Sequence, residues 1–313
     1  MGYTPLRIST VKPNRELSFD LYIFFKETYL RYTERGTQIA DEKYNKLKKQ
    51  KIAKFYITEN DEPLYQQFLD NLLQETMNSP TATVDEKVNL VEGACGTAVE
   101  RMQKDPESES SYRMTQNAAK SLRQVIAGNP DALKKIFGKK ASDADLIIKH
   151  SLNVSALSTK LAEKCKLPDE EIDNIATAAL IHDVGIARMP KEDQALFKKP
   201  RTEYGTDDKR LYGFHVKDAV EVLKDKPWVT QAIIELVVNH EEVLSGQGPN
   251  KKSKLSPSEE ILSLVNNYDK RIITTGKTPK ETIKEMTIDE VGNYSLDLIN
   301  KFKEVLQTEG FLD

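Results

Sequence analysis

Cysteine is nearly absent from the chain. Cys95 and Cys165 lie far apart and form no CxxC pair, which excludes a thiolate zinc site and a disulfide framework and fits a reducing compartment. Long apolar runs are missing too. The longest pieces, such as Ile233-Ile234 and the stretch from Leu236 to Val238, are fragments of amphipathic helix, and residues 1–14 hold no signal-peptide core. A cytoplasmic protein without membrane insertion is the expectation. Nor is there a global positive charge. With a net charge of -3 and a pI of about 6.0, no field recruits a nucleic-acid polymer, although a small phosphate ligand needs only local cations.

What is present divides in two. A length of 313 residues exceeds one ordinary domain, so two are expected, each able to bury its own core. The first is placed at 1–138, with α/β character to about residue 75 and helices after it. Leu17, Phe19, Leu21 and Ile23 alternate with Ser18, Asp20 and Tyr22, the period of a strand. Residues 28–32 supply its hairpin partner, before a turn at Glu34-Arg35-Gly36. Residues 40–50 predict a Lys-rich surface helix, and residues 52–58, β-branched and aromatic, a second strand. From Glu62 the pattern is helical: Val88, Val91, Cys95, Ala98 and Met102 make one apolar stripe, and another helix covers 114–127. Tyr22, Tyr29, Tyr32, Phe55 and Tyr56 are read as the core of the small sheet. This half carries no P-loop, no GxGxxG and no histidine, so the sequence names no ligand for it.

The second domain, 139–313, follows the polar, basic stretch Gly138-Lys139-Lys140 and carries no strand signal. Ser142 and Asp145 form a capping-box pattern. Pro168 before Asp169-Glu170-Glu171 opens a second helix that stops at Gly185, and Pro227 opens another that ends near Gly246. The expected fold class is therefore α+β overall, a small N-terminal α/β domain followed by an all-α helical bundle.

The histidines are few and all fall in this second half: His150, His182, His215 and His240. Each occupies the apolar stripe of its own predicted helix. One such residue is ordinarily a core histidine with a hydrogen-bond partner. Four converging ones are harder to satisfy, and a metal ion meets several imidazole lone pairs at once. Asp183, directly after His182, supplies the negative charge that neutral imidazoles lack and can bridge two metals through its two oxygens.

The order His150, then His182-Asp183, then a late Asp or Asn on a helix resembles the HD metal-dependent phosphohydrolase superfamily, over residues 142–313. The stretch His182-Asp183-Val184-Gly185-Ile186-Ala187-Arg188-Met189-Pro190 is similar to the HDIGKxxxP segment of its HD-GYP branch. Lys199-Pro200, then His240-Glu241 followed by Gly246-Gln247-Gly248-Pro249, keep the HD-GYP order, and residues 261–269 resemble ILAxADxxDA. The resemblance implies an all-α bundle holding two or three divalent metal ions, iron or manganese. It also implies hydrolysis of cyclic di-GMP with a metal-bound hydroxide as nucleophile, and an N-terminal half that senses a signal or binds a protein partner. Two divalent ions about 3.5–4 Å apart can acidify water and clamp charge on phosphate oxygens, and imidazole with carboxylate ligands suits iron, manganese or zinc.

The departures bear on the same residues. Asn239 stands where the family has the first of two adjacent histidines, and the GYP tyrosine is absent, since Gly248 runs directly into Pro249. Ile186 replaces a lysine expected to hold substrate phosphate, with Arg188 two residues on as a candidate substitute or a solvated surface residue. Asn266 stands where a metal-binding aspartate is usual, and Asp269 lies one helical step away, so either completes the metal set. Leu146, four residues before His150, replaces the glutamate of trimetal members, which argues for two metals. Lys277 and Lys280 are candidate phosphate cations or plain solvated loop residues. Gly246 and Gly248 either admit backbone amides to a ligand or simply end a helix.

Three functional readings follow. The first is a metal-dependent phosphodiesterase for cyclic di-GMP or a related cyclic nucleotide, with Asp183 bridging two metals and His150, His182, His215 and His240 as their ligands. The second is a metal-binding scaffold or cyclic-dinucleotide sensor with little turnover, motivated by Asn239, Ile186 and the missing tyrosine. The third, a di-iron HD oxygenase, fits the HD-GYP-like tail least.

Overall fold

The computed structural model of the chain describes residues 2–138, 142 and 145–313, the side chain of Asp218 excepted. The N-terminal sheet has four antiparallel strands in the order β1-β4-β2-β3: β1 (Tyr3–Arg7), β2 (Leu21–Phe25), β3 (Thr28–Thr33) and β4 (Lys54–Thr58), with helix α1 (Asp41–Lys49) between the last two in sequence. Strands β2 and β3 are joined through Lys26 and Glu27, both at positive φ, the backbone that a two-residue hairpin turn demands. The strand expected from Leu17 starts only at Leu21. The backbone of Leu17 bonds instead to Gly36 and Thr37, so the chain bends before the ladder begins, while Leu17, Phe19 and Leu21 still all face inward. Strand β1 escaped the sequence reading because Pro5 interrupts it. Proline is tolerated there because β1 lies at the edge of the sheet.

Adjacent strand residues face opposite sides, and this corrects the aromatic core expected from the sequence. Phe55 is buried, with Tyr32 stacked on it at 5.9 Å between ring centroids. Tyr22, Tyr29 and Tyr56 lie on the other face with Tyr3 and Phe24, where Tyr3 stacks on Tyr29 at 4.0 Å.

The helical part begins with α2 (Glu62–Asn78), α3 (Val84–Lys104) and α4 (Glu109–Gly128), followed by a short α5 (Ala132–Phe137). Thr83 and Glu86 close a capping box at the start of α3. The boundary expected after Gly138 adjoins residues 139–141, which lie outside the described ones. A single buried apolar cluster runs from Leu6 in β1 to Leu312, through α3 and α4 and into the helices beyond. Arg7 of β1 also reaches across to Asp145 at 2.6 Å.

The remaining helices are α6 (Leu146–Lys164), α7 (Asp169–Ile181), α8 (Lys191–Gln194), α9 (Thr206–Tyr212), α10 (Phe214–Leu223), α11 (Gln231–Asn239), α12 (Pro257–Thr275), α13 (Pro279–Asp289) and α14 (Leu296–Thr308). Among the described residues this half contains no strand, and no helix is long and apolar enough to cross a membrane. Ser142 donates to the Asp145 carboxylate at 2.6 Å, but α6 starts at Leu146 without a side-chain cap. Residues 278–280, expected in a loop, open α13 instead: Thr278 and Glu281 form a capping box with Pro279 in the first turn, so Lys280 sits on a helix.

Candidate metal centre

The four histidines reach one point by a repeated local device. His182 and His240 stand just past the ends of α7 and α11, and His215 is the second residue of α10. Each of these three turns its Nδ1 to a backbone carbonyl three residues earlier: Ala179 at 2.7 Å, Val237 at 2.6 Å, and Tyr212. The final carbonyls of a helix have no partner within the helix, so these contacts satisfy them. His150, inside α6, turns its Nδ1 to the Asp269 carboxylate at 2.7 Å. Carbonyl and carboxylate oxygens only accept, so each Nδ1 carries the proton and each Nε2 presents a bare lone pair.

Those lone pairs face one carboxylate. Asp183 Oδ2 lies 3.5 Å from His150 Nε2 and 3.3 Å from His182 Nε2. Its other oxygen, Oδ1, lies 3.4 Å from His215 Nε2 and 3.6 Å from His240 Nε2. Within the pairs the Nε2 atoms stand 3.1 Å apart for His150 and His182 and 3.0 Å apart for His215 and His240. All five side chains are buried, and both Asp183 oxygens lack a hydrogen-bond partner. Buried lone pairs aimed at a buried anion repel one another unless a cation lies among them. The donors fall into two sets that share Asp183: His150 with His182, and His215 with His240. The residues present therefore fit divalent metal, one set on each carboxylate oxygen.

Electrostatics agree with ligand function. Burial pushes His240 down to about 3 and lowers His150 against the pull of Asp269, which favours neutral, metal-ready imidazoles. Burial alone would raise the Asp183 carboxyl, yet the imidazoles of His182, His215 and His240 around it hold it well below the usual carboxylate range.

The structure separates the two late candidates on α12. Asn266 points its Oδ1 at His150 Nε2, 2.9 Å away, so it sits on the lone-pair side of the cluster. Asp269 lies behind His150, on Nδ1, and also accepts from Asn153 at 3.0 Å. Asn239 faces elsewhere, donating to Glu259 at 2.6 Å. Gly185 is explained by a close approach: a Cβ there would lie 1.9 Å from the His215 carbonyl oxygen, so only glycine lets the turn after Asp183 seat against α10.

The remaining candidates sit differently. Gly246 adopts a positive φ of 70°, the turn conformation that glycine favours. At Gly248 a Cβ would strike the Glu242 carboxyl at 2.6 Å. Glu242, fully buried, accepts from the backbone N–H of Asn250 and of Lys252, so the 248–252 loop is tied down through it. Arg188 is exposed. Lys277 is paired with Glu285 at 2.7 Å, and Lys280 is exposed at the start of α13, where it lines a separate cleft with Lys284 and Leu312.

Glu241 and Lys270 are given no role in the sequence reading. Glu241 reaches to 3.7 Å from His240 Nε2, accepts from Asn266 at 3.1 Å and pairs with Arg201. Lys270 is almost fully buried against the rings of Phe197 and Tyr212 and donates to the Tyr212 hydroxyl at 2.5 Å. Burial drives its ammonium well below the ordinary lysine value, with Asp183 opposing. The position of Glu241 next to His240 was a usable signal. Lys270 had none, because its neighbours come from distant segments.

Comparison with known proteins follows the same outline. The family model described as HD domain matches residues 129–294. The solved structure of Bd1817, an HDG"Y"P protein from Bdellovibrio bacteriovorus, superposes with a TM-score of 0.77 at 25% identity, covering 98% of this chain and 100% of that one. The cyclic di-GMP phosphodiesterase PA4108 of Pseudomonas aeruginosa is 29% identical over 126 residues, 39% of this chain. The match spans only 28% of that relative's length. Four imidazoles around one aspartate, within a helical array that matches over most of its length, place the chain in the HD domain family, on its HD-GYP branch.

Proposed function

We propose that this protein is a metal-dependent phosphodiesterase that hydrolyses a cyclic dinucleotide, cyclic di-GMP first, at a dinuclear centre of iron or, alternatively, manganese. One observation carries the reading: each oxygen of Asp183 faces its own pair of histidine Nε2 atoms, and neither oxygen has another partner. Two divalent ions held there would supply an acidified water and a positive clamp for phosphate oxygens.

The chain's own residues do the rest. His150, His182, His215 and His240 would hold the metal together with Asp183, whose two oxygens face the two histidine pairs. Asn266 would join His150 and His182 through its amide oxygen. Asp269 is the carboxylate that orients His150 rather than a ligand, the carboxylate–histidine arrangement common behind metal-bound imidazoles. The buried surroundings exclude bulk water, which strengthens every charge interaction at the site. The relatives named above support the substrate class: one is a cyclic di-GMP phosphodiesterase by name. The small N-terminal domain is assigned to signal sensing or partner binding on the resemblance alone.

A second reading is favoured by Asn239 and Ile186. Asn239 is committed to Glu259 and contributes nothing to the cluster, and Ile186 is fully buried, so neither supplies the group its family position would. On that reading the protein binds metal and dinucleotide but turns over little.

The test is a time course of cyclic di-GMP with protein loaded anaerobically with iron or with manganese, products separated by chromatography. Asp183→Ala runs beside it, with metal content measured for both. Wild type should hold two metals per chain and release linear dinucleotide or mononucleotide, while Asp183→Ala should lose at least one metal and all turnover. Binding without product at two metals per chain would select the sensor. An unchanged metal complement in Asp183→Ala would remove the bridging role.

A further inference from the structure

A cleft of about 320 Å³ opens beside the metal cluster, between residues 201–213 and the 247–249 loop. Two of its walls touch the cluster. Tyr212 packs its ring 4.4 Å from the His215 ring. Glu241 turns one oxygen toward His240 and Asn266 and gives the other to Arg201. The lining carries three cations, Arg201, Lys209 and Arg210, against that single acidic residue, with the rings of Tyr204 and Tyr212 between them. Lys209 and Arg210 are exposed. Arg201 differs: its side chain is 29% exposed while its partner Glu241 is 6% exposed, so solvent or a ligand reaches the guanidinium from the cleft and leaves the carboxylate behind it.

On the other side, Ile186 is buried in an apolar knot with Met189, Phe197 and Tyr212, and Lys270 is sealed beneath Phe197 and Tyr212.

We infer that Arg201 is the phosphate-binding residue of this cleft, held by Glu241 until an anionic ligand takes its place. The inference rests on the cyclic-dinucleotide reading above and adds to it the group that recognises the diester. A guanidinium offers two parallel N–H bonds to a phosphate as readily as to a carboxylate. A cyclic dinucleotide carries two phosphodiester charges. Among the lining residues the cations outnumber the single carboxylate, with Arg210 also paired to Asp207 at 3.7 Å, so the cleft is net positive. Tyr204, half-buried, offers part of its ring to a base, while Tyr212 is buried behind it. Seated on Arg201, a phosphate lies next to the cluster on the side of His215 and His240.

The experiment is equilibrium binding of inorganic phosphate and of cyclic di-GMP to the full, manganese-loaded chain. Wild type is compared with Arg201→Ala and Arg201→Lys, and metal content is measured in each. Loss of a charged hydrogen-bond partner should weaken phosphate about tenfold or more in Arg201→Ala, with an intermediate effect in Arg201→Lys and the metal complement unchanged. Arg201→Lys, which keeps charge and approximate length, carries the comparison if Arg201→Ala fails to fold. If phosphate weakens in this way but cyclic di-GMP binds to no form, the role of Arg201 stands and the dinucleotide reading falls. Equal phosphate affinity in wild type and both variants at equal metal content, or no phosphate binding by wild type, overturns the inference.

Discussion

At the scale of single residues, the site is a problem of proton placement. An imidazole has one proton to give when neutral, and here every Nδ1 spends it on an oxygen that can only accept. Three of those oxygens are backbone carbonyls and one is the Asp269 carboxylate, so the four proposed ligand positions are not equivalent. Only His150 depends on a side chain for its tautomer and orientation. Asp269→Asn should therefore leave the His215–His240 pair intact and weaken metal on the His150–His182 side about 10–100-fold. A metal titration followed by calorimetry would show one tight and one weakened site. Two unchanged sites would mean that packing alone orients His150.

At the scale of elements, helix ends and loops do the positioning. Helices α7 and α11 stop where His182 and His240 bond back to their last turns, so each helix delivers its ligand at a fixed angle. The 248–252 loop has no regular structure to hold it, and Glu242 does that instead, from beneath Gly248. Replacing Glu242 with alanine leaves two backbone N–H groups without their partner, a cost of about 1–3 kcal/mol for each that stays desolvated. Glu242→Ala should speed hydrogen exchange at Asn250 and Lys252 and lower thermal stability, with the metals retained. Unchanged protection at those two amides would show that the loop is held by other contacts.

At the scale of the whole molecule, metal bound as proposed would compete with protons for the same buried groups. His240, pushed down to about 3 by burial, and His150, also lowered, are neutral in the folded chain and protonate more readily when it unfolds. Their contribution to stability is complete above the free imidazole value of 6.5 and is lost as pH falls from there toward the folded values. Metal at a hundred times its dissociation constant adds about 2.7 kcal/mol, and protons displace it over the same range. Melting curves of chelated and metal-loaded protein from pH 7.5 down to about 4 should show both becoming less stable and the gap between them closing. A gap constant with pH would mean that the metals are not held by imidazole.

Much of this was legible in the chain. The helical second half, the hairpin partner at residues 28–32, and the placement of each histidine on an apolar stripe follow from local signals, apolar period and capping residues. These features depend on neighbours within a few residues, where the sequence is the structure. Contacts between distant segments were not legible. Asn266 and Asp269 could not be told apart in sequence, because three residues along a helix change a side chain's direction by an angle whose meaning depends on where α6 lies. Tertiary packing put one on the lone-pair side of His150 and the other behind it. The need for glycine at 185 and 248 comes from the His215 backbone and the Glu242 carboxyl, neither visible as an obstacle until the chain is folded. The Arg201–Glu241 pair and the buried Lys270 join residues 40 and 58 positions from their partners. The sequence by itself determined which groups could bind metal; the tertiary structure decided which lone pairs meet, because direction and distance in space are set by packing and not by order along the chain.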